Sequence, residues 1–398
     1  MNQRSTEGHR ALRVTISSRI WEPERAAAAF RLRSLAAGLV ELGARVRVHT
    51  SKPPPQLVAE ATEADRRAPF AVNRHRVLRG EDGYLRGYFQ YLSFDLPLLW
   101  HLLTDAKPDV YICEPPPTTG MMTRIVATIR RRPYVYYAAD IWSDASESTN
   151  VPSVVVTALR AVERWVLTGA ANVIAVNAAV ADRAKQLGAT NVTTVQNGVD
   201  TSVFTPDGDP SPLAGTPYFV YAGTMSEWRG SDVFVRALAQ IHADFPDLRL
   251  VFVGQGNAVD DLRRTADGLG VGEAVHILPP VSPDVAAAYQ RDAIAALVSI
   301  RPGIGYDMAF PTKTMAAWAC GSPVIYAGAG LARDLIRANY LGWSCEYDVA
   351  EVAQAMHDAA ASTGDRSGLA EWAIENVSLS AAASRAARAI FKTVKEAQ

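Results

Sequence analysis

Three cysteines in 398 residues, Cys113, Cys320 and Cys345, are too few and too widely spaced for a disulfide framework or a paired zinc motif. They read as small buried hydrophobes in a reducing compartment. Charge of one sign is also lacking, since 40 Lys and Arg against 41 Asp and Glu leave a formal net charge of -1. No whole-chain field gathers a polyanion, which removes nucleic acid from the expected partners. No window reaches the roughly 18 uninterrupted apolar residues of a membrane-spanning helix. Residues 1–11 are polar, without the apolar stretch of a secretory signal. The expected location is therefore cytoplasmic, with membrane contact at most peripheral, on the inner face. Short repeats and low-complexity blocks are absent.

What is present is the balance of a globular protein, 48% hydrophobic and 20% charged residues, at a length that suits two domains better than one core. After a loose tail, 1–11, Leu12–Ser18 reads as a buried strand. Glu24–Leu42 follows with helical apolar spacing until Gly43, and Arg45–His49 closes a βαβ unit. The alternation returns with strands at Asp109–Cys113, Tyr134–Ala138, Asn172–Val176 and Val192–Val195. The Pro-, Gly- and Asp-dense stretch 205–216 marks a linker between a first domain, 12–204, and a second, 217–375. Strands of the second are expected at Tyr218–Ala222, Arg249–Val253, Val275–Leu278, Ala293–Ser299 and Pro323–Tyr326. Region 376–398 carries an amphipathic helix that docks on either half, including a return to the first domain. The fold class is α/β, as two open parallel sheets covered on both faces.

Ligands of such sheets bind beyond the carboxyl ends of the strands, where helix N-termini offer unpaired N–H groups. Three loops of the second domain stand there. Tyr221-Ala222-Gly223-Thr224 leads into Glu227-Trp228-Arg229-Gly230, a glycine turn followed by a cation ahead of a helix, which suits a diphosphate. Val253-Gly254-Gln255-Gly256 opens a second helix with glycines that admit a ligand to the backbone; a plain strand-to-helix turn reads equally well. The third, Arg301–Thr314, runs into a helix with Pro311 in its first turn and with Thr312, Lys313 and Thr314 at its positive end. A cation there is unfavourable unless an anion offsets it, the alternative being a solvated lysine.

From Val192 to Val324 these residues resemble the retaining glycosyltransferases of family 4, in particular the N-acetylfucosaminyltransferase-like branch. The carriers are Val195-Gln196-Asn197-Gly198-Val199-Asp200 with Phe204, Gly223 with Arg229-Gly230, Val253-Gly254-Gln255-Gly256, and Pro311-Thr312-Lys313 through Ala319, Gly321, Pro323 and Val324. Trp21–Pro23, Pro115–Gly120, Ala139-Asp140-Ile141-Trp142 and Glu163-Arg164-Trp165 extend the likeness into the first half. It implies the GT-B architecture, two facing Rossmann-like domains with an interdomain cleft. The implied activity is transfer of a hexose-type sugar, with retention, from a nucleotide-diphosphate sugar carrying UDP or GDP to a small-molecule or lipid-linked acceptor.

The resemblance places Arg229, Lys313 and Asp140 in catalysis. It places Gly223, Thr224, Gly254, Gly256, Leu278, Pro311, Thr312 and Thr314 on the donor, and Arg25, Pro116 and Trp142 on the acceptor. No cofactor or metal is expected, since no acidic DxD run stands at a strand end and protein cations then neutralise the leaving diphosphate. The chain departs from the family pattern at Met308 and Ala316, where the family carries two glutamates, one of them on the ribose. It departs again at Thr224, in place of an arginine, and at Ala139, in place of a histidine. Two other classes therefore stay open: a non-catalytic transferase-like partner, and a nucleotide-sugar epimerase. Asp140 is read as a ligand group or a helix cap, His49 as a packing residue and His276 as structural. The aromatic stretch Gly83–Leu103 is read as acceptor pocket, membrane contact or buried helix. The oligomeric state stays open.

Overall fold

A computed structural model describes residues 10–24, 26–80, 85, 87–147, 153–303, 310–362 and 366–397. The chain forms two compact units, passing from the first to the second between Asn197 and Gly198 and returning between Ala381 and Ala382. The first runs β1 (Arg13–Ser17), α1 (Ala27–Glu41), β2 (Arg45–Ser51), α2 (Val58–Arg67), β3 (Ala71–His75), α3 (Tyr88–Thr104) and β4 (Val110–Cys113). It continues with α4 (Pro117–Arg130), β5 (Tyr134–Ala138), α5 (Trp142–Glu147), α6 (Ser153–Gly169), β6 (Asn172–Ala175), α7 (Ala178–Gln186) and β7 (Val192–Thr194). The second unit holds β8 (Tyr218–Ala222), α8 (Asp232–Ile241), β9 (Arg249–Val253), α9 (Val259–Gly268), β10 (Val275–Leu278), α10 (Pro283–Asp292) and β11 (Ala295–Ser299). Then come α11 (Thr312–Ala319), β12 (Val324–Ala327), α12 (Leu331–Asn339), β13 (Gly342–Cys345), α13 (Val349–Ala361) and α14 (Leu369–Val377). Helix α15 (Leu379–Glu396) carries the chain back.

Both sheets are parallel, seven strands in the order β3-β2-β1-β4-β5-β6-β7 and six in the order β10-β9-β8-β11-β12-β13. Side chains alternate across each sheet as the strand period of two requires. In β4, Val110 and Ile112 face a core completed by Leu32, Leu35 and Leu39 of α1 and by Ala386 and Ile390 of α15. Tyr111 and Cys113 face the opposite core, with Phe94 and Leu98 of α3, Val126 of α4 and Val166 of α6. Two buried faces explain why the central strands are nearly continuous apolar runs.

The edge strands β3 and β13 were not expected from the sequence. Ala-Val-Asn-Arg-His and Gly-Trp-Ser-Cys are mostly half-buried and lack an apolar run, so pairing with β2 and β12, rather than burial, makes them strands. The stretch 205–216 packs within the second unit: the Ser211 amide donates to Asp292 at 2.6 Å, and Arg291 Nη2 donates to the Asp209 carbonyl at 2.7 Å. Gly198 lies so near the Ser378 backbone that a Cβ there would stand 2.3 Å from its carbonyl oxygen, which is why this crossing needs glycine. Each sheet reverses its strand order once, between β1 and β4 and between β8 and β11. Those are the two places where loops diverge at the carboxyl edge and leave room for a ligand.

Candidate functional site

In the second unit the reversal point collects the loops that follow β8 and β11. After β8 the chain turns through Gly223, at φ 124°, and its amide donates to the Val253 carbonyl at 2.8 Å. The loop after β9 is stacked directly on it. A Cβ at Gly254 would meet the Gly223 carbonyl oxygen at 2.3 Å, and one at Gly256 the Met225 carbonyl oxygen at 1.9 Å. Positive φ values of 146° and 158° add to the requirement for glycine at both. Leu278, at the end of β10, accepts the Gly254 amide at 3.0 Å. Behind the loop, the Tyr347 hydroxyl donates to the Gly230 carbonyl at 2.7 Å, which fixes the short turn bearing Arg229.

Lys313, in the first turn of α11, reaches back to this turn. Its Nζ lies 3.4 Å from the centroid of the Tyr221 ring, and a Cβ placed on Gly223 would meet the end of the lysine side chain at 3.4 Å. The ammonium group is shielded from water and has no hydrogen-bond partner. Burial, reinforced by the nearby Arg229 charge, holds Lys313 well below the ordinary lysine range. Two cations thus share one enclosed spot beside open glycine backbone and a helix N-terminus, an arrangement that an anion would relieve. Tyr221, the ring beneath the lysine, opens the glycine turn read from the sequence, where it was assigned no role of its own.

The other donor-side expectations divide. Gly223, Thr224, Gly254 and Gly256 are together at the loop edge, and Thr312 is exposed at the start of α11. Thr314 is buried and its hydroxyl donates inward to the Pro311 carbonyl, so that side chain bonds to its own helix turn rather than facing a ligand. Pro311 is buried as well. Ala316 is buried in the core of the second unit. Asp307 and Met308 lie outside the described residues.

In the first unit, the reversal point is lined by a buried polar cluster. The Ser18 hydroxyl donates to Glu114 at 2.6 Å, and Arg31 Nη2 donates to the other oxygen at 3.0 Å. Arg19 lies 3.8 Å from the Tyr91 ring centroid, and burial lowers its affinity for its proton. Asp95 accepts from Thr118 and Thr119 at 2.6 Å each, while burial pushes its carboxyl above the ordinary range. Of the acceptor-side residues, Trp142 is half-buried with its ring edge-on to Tyr91 at 5.8 Å. Pro116 is buried at the start of α4, where its carbonyl accepts the Thr119 amide, and Arg25 lies outside the described residues.

Asp140 is exposed on the loop after β5 and does not cap α5. That role belongs to Glu163, whose carboxylate accepts the amides of Trp142 and Ser143 at 2.8 and 2.9 Å. His49 packs as expected, but in unforeseen company: its Nδ1 is 3.0 Å from His75 Nε2, and the His75 and His101 rings stack at 4.0 Å. Burial pushes His49 and His75 down to about 4. His276 is half-buried within β10. Among the described residues, no group of three or more His, Cys, Asp or Glu side chains is arranged to hold a metal ion.

Two open parallel sheets, each reversing its strand order once and one carrying paired cations and glycine turns near that point, define an α/β protein built from two Rossmann-like units. Family models refine this: the glycosyl transferase 4-like domain matches residues 27–198, and glycosyl transferases group 1 matches residues 216–362. In sequence and fold the chain is of the GT-B, glycosyltransferase family 4 type.

D-inositol 3-phosphate glycosyltransferase 1 of Catenulispora acidiphila is 34% identical over 167 residues, 38% of this chain and 38% of that protein. The GDP-mannose-dependent alpha-(1-6)-phosphatidylinositol monomannoside mannosyltransferase of Mycolicibacterium smegmatis is 30% identical over 148 residues, 35% of this chain and 39% of that protein. The matches thus span well under half the length of these relatives. The crystal structure of Anabaena HepE with UDP and glucose superposes with a TM-score of 0.64 at 18% identity, covering 96% of this chain and all of that one.

Proposed function

We propose that the protein transfers a sugar from a nucleoside diphosphate sugar to an acceptor hydroxyl, with retention at the anomeric carbon. The observation that carries this reading is the enclosed, unpartnered ammonium of Lys313 beside Arg229 and the glycine turns. In the reaction, the anomeric carbon loses its bond to the diphosphate oxygen and gains one to the acceptor oxygen. The acceptor proton passes to the departing diphosphate on the same face, so no side-chain nucleophile is required. Lys313 and Arg229 stabilise charge that grows on the diphosphate as the bond breaks. Asp140 is assigned to the sugar or the acceptor, supported by its exposure and by the absence of any hydrogen bond or ion pair to it among the described residues.

The donor set proposed is Gly223, Thr224, Gly254, Gly256, Leu278 and Thr312, with UDP or GDP as the nucleotide. UDP finds support in the fold shared with HepE, and GDP in the relative named for GDP-mannose. The acceptor is a small molecule or a lipid-linked one: one relative is named for D-inositol 3-phosphate and the other for a phosphatidylinositol mannoside. Purified protein offered UDP and GDP is expected to be stabilised against heat by one of them, and to release it from the matching sugar donor. No stabilisation by either would remove the diphosphate site. The second reading, a non-catalytic partner, is favoured by Ala316, whose buried methyl offers no carboxylate to a ribose. Nucleotide binding with no transfer or hydrolysis of any sugar donor would select it.

A further inference from the structure

We propose that the outer surface of α3, α4 and α6 rests against an anionic lipid bilayer. Along one side of α3, Phe89, Leu92, Leu96 and Trp100 recur at helical spacing and are 78%, 39%, 56% and 67% exposed. The opposite side of the same helix, with Phe94, Leu98 and Leu102, already fills the core, so the outer stripe is not needed to hold the helix in place. Helix α4 packs between α3 and α6 and adds exposed Ile129. From α6 come exposed Val154 and Trp165. Most of the large apolar side chains exposed on the first unit belong to these three helices, an extent that marks an interaction surface rather than scattered surface residues.

Charge selects the partner. The three helices contain only two acidic residues, Asp95 and Glu163, and both are fully buried. Basic residues are frequent: Arg124 and Arg130 in α4, Arg131 just beyond it, and Arg160 and Arg164 in α6. Arg131 and Arg164 are exposed, while Arg124 lies 4.1 Å from the Trp165 ring centroid. In a chain with a formal net charge of -1, the described residues of these three helices show arginine among aromatic and aliphatic side chains and no exposed carboxylate; Arg160 is paired with Asp144 of α5 at 3.7 Å, which leaves Arg131 and Arg164 as the exposed charges. A second copy of the same face would bring like charges together, whereas an anionic headgroup layer complements the arginines and an acyl boundary takes the Trp, Phe and Leu side chains. The stripe from Phe89 to Trp100 extends about 17 Å along α3, three turns of apolar contact with a surface. Among the described residues no helix is long and apolar enough to cross a membrane, so the contact is interfacial.

The test is cosedimentation of the whole protein with phosphatidylcholine vesicles that do or do not carry phosphatidylglycerol, read without any nucleotide sugar. Failure here therefore leaves the donor site standing, and the reverse. Wild-type protein is expected to bind the anionic vesicles, to release them in high salt, and to shift its tryptophan emission to the blue on binding. Leu96→Glu and Trp100→Glu are each expected to weaken that binding on the order of tenfold or more, with unchanged melting temperature in solution because both side chains are exposed. Arg131→Glu with Arg164→Glu should weaken it in the same direction. Wild-type protein that stays in solution with anionic vesicles, or glutamate variants that bind like wild type, would overturn the proposal. So would a salt-insensitive dimer that Leu96→Glu dissociates, since a second copy would then be the occupant.

Discussion

Replacing Lys313 by methionine should stabilise the protein without ligand and weaken it with ligand. In the ligand-free state the ammonium is enclosed without a hydrogen bond, a cost of about 1–3 kcal/mol or more for a charged donor. Its contact with the Tyr221 face, at 3.4 Å, returns up to about 2 kcal/mol. Methionine keeps the unbranched stem and a sulfur–ring contact of about 0.3–1.5 kcal/mol, without the desolvated charge. The expected net gain is about 1 kcal/mol, or roughly 2–4 °C for a unit of this size. With a diphosphate bound, the lysine makes a charge-assisted contact of about 1.5–3 kcal/mol that methionine cannot, so affinity falls roughly 10- to 100-fold.

At a UDP concentration about 100 times the wild-type Kd, the wild type gains about 2.7 kcal/mol from binding. A variant that binds about 30-fold more weakly gains only about 0.9, so the order of melting temperatures reverses between the two conditions. Differential scanning with and without UDP, or GDP if that is the ligand, reads the crossover. Burial has lowered the lysine pKa, so the unfolded chain holds more protons from that lowered value up to about 10.5. The wild type should therefore gain stability relative to the variant as pH rises through that window. A methionine variant that melts below wild type without ligand, or that keeps the full nucleotide-induced shift, would refute the assignment of Lys313 to the diphosphate.

Arg229→Ala should lower donor affinity or turnover on the order of tenfold; steady-state kinetics across donor concentrations would show it. Gly254→Ala places a Cβ 2.3 Å from the Gly223 carbonyl oxygen at a φ of 146°, so the two glycine turns must separate. A loss of at least about 1–3 kcal/mol in urea unfolding, with weaker nucleotide binding, is the expected outcome. Acid should destabilise the first unit through its histidines. With His49 held near about 4 when folded and near about 6.5 when unfolded, its contribution is complete above the upper value and declines as pH falls toward the lower. Between about pH 8 and about pH 5 the loss is roughly 2 kcal/mol, His75 adding less because it is more open to water. His49→Gln should flatten the pH dependence of the urea midpoint, and an unchanged slope would count against this account.

The tandem α/β pattern was legible because parallel strands buried on both faces are written as short apolar runs separated by amphipathic helices. Tyr134–Ala138, Tyr218–Ala222 and Arg249–Val253 stand in the structure with the bounds read from the sequence. Strands β3 and β13 were missed because an edge strand draws its stability from one neighbour and needs no apolar run. Glycines at Gly223, Gly254 and Gly256 were legible for a related reason. A backbone that must turn at positive φ against another backbone admits no other residue without strain.

The order of helices and strands, the glycine turns and the basic residues near them were thus determined by local sequence, since each answers to the geometry of a few consecutive residues. Tertiary structure alone decided which distant groups meet. It put Lys313 over Tyr221, turned the Thr314 hydroxyl inward, gave the α5 cap to Glu163 rather than Asp140, and joined His49, His75 and His101 from β2, β3 and α3. It also decided that the aromatic side of α3 faces outward. Burial and pairing depend on neighbours far along the chain, so the energies that set the state of a buried cation or imidazole exist only once the sheets have formed.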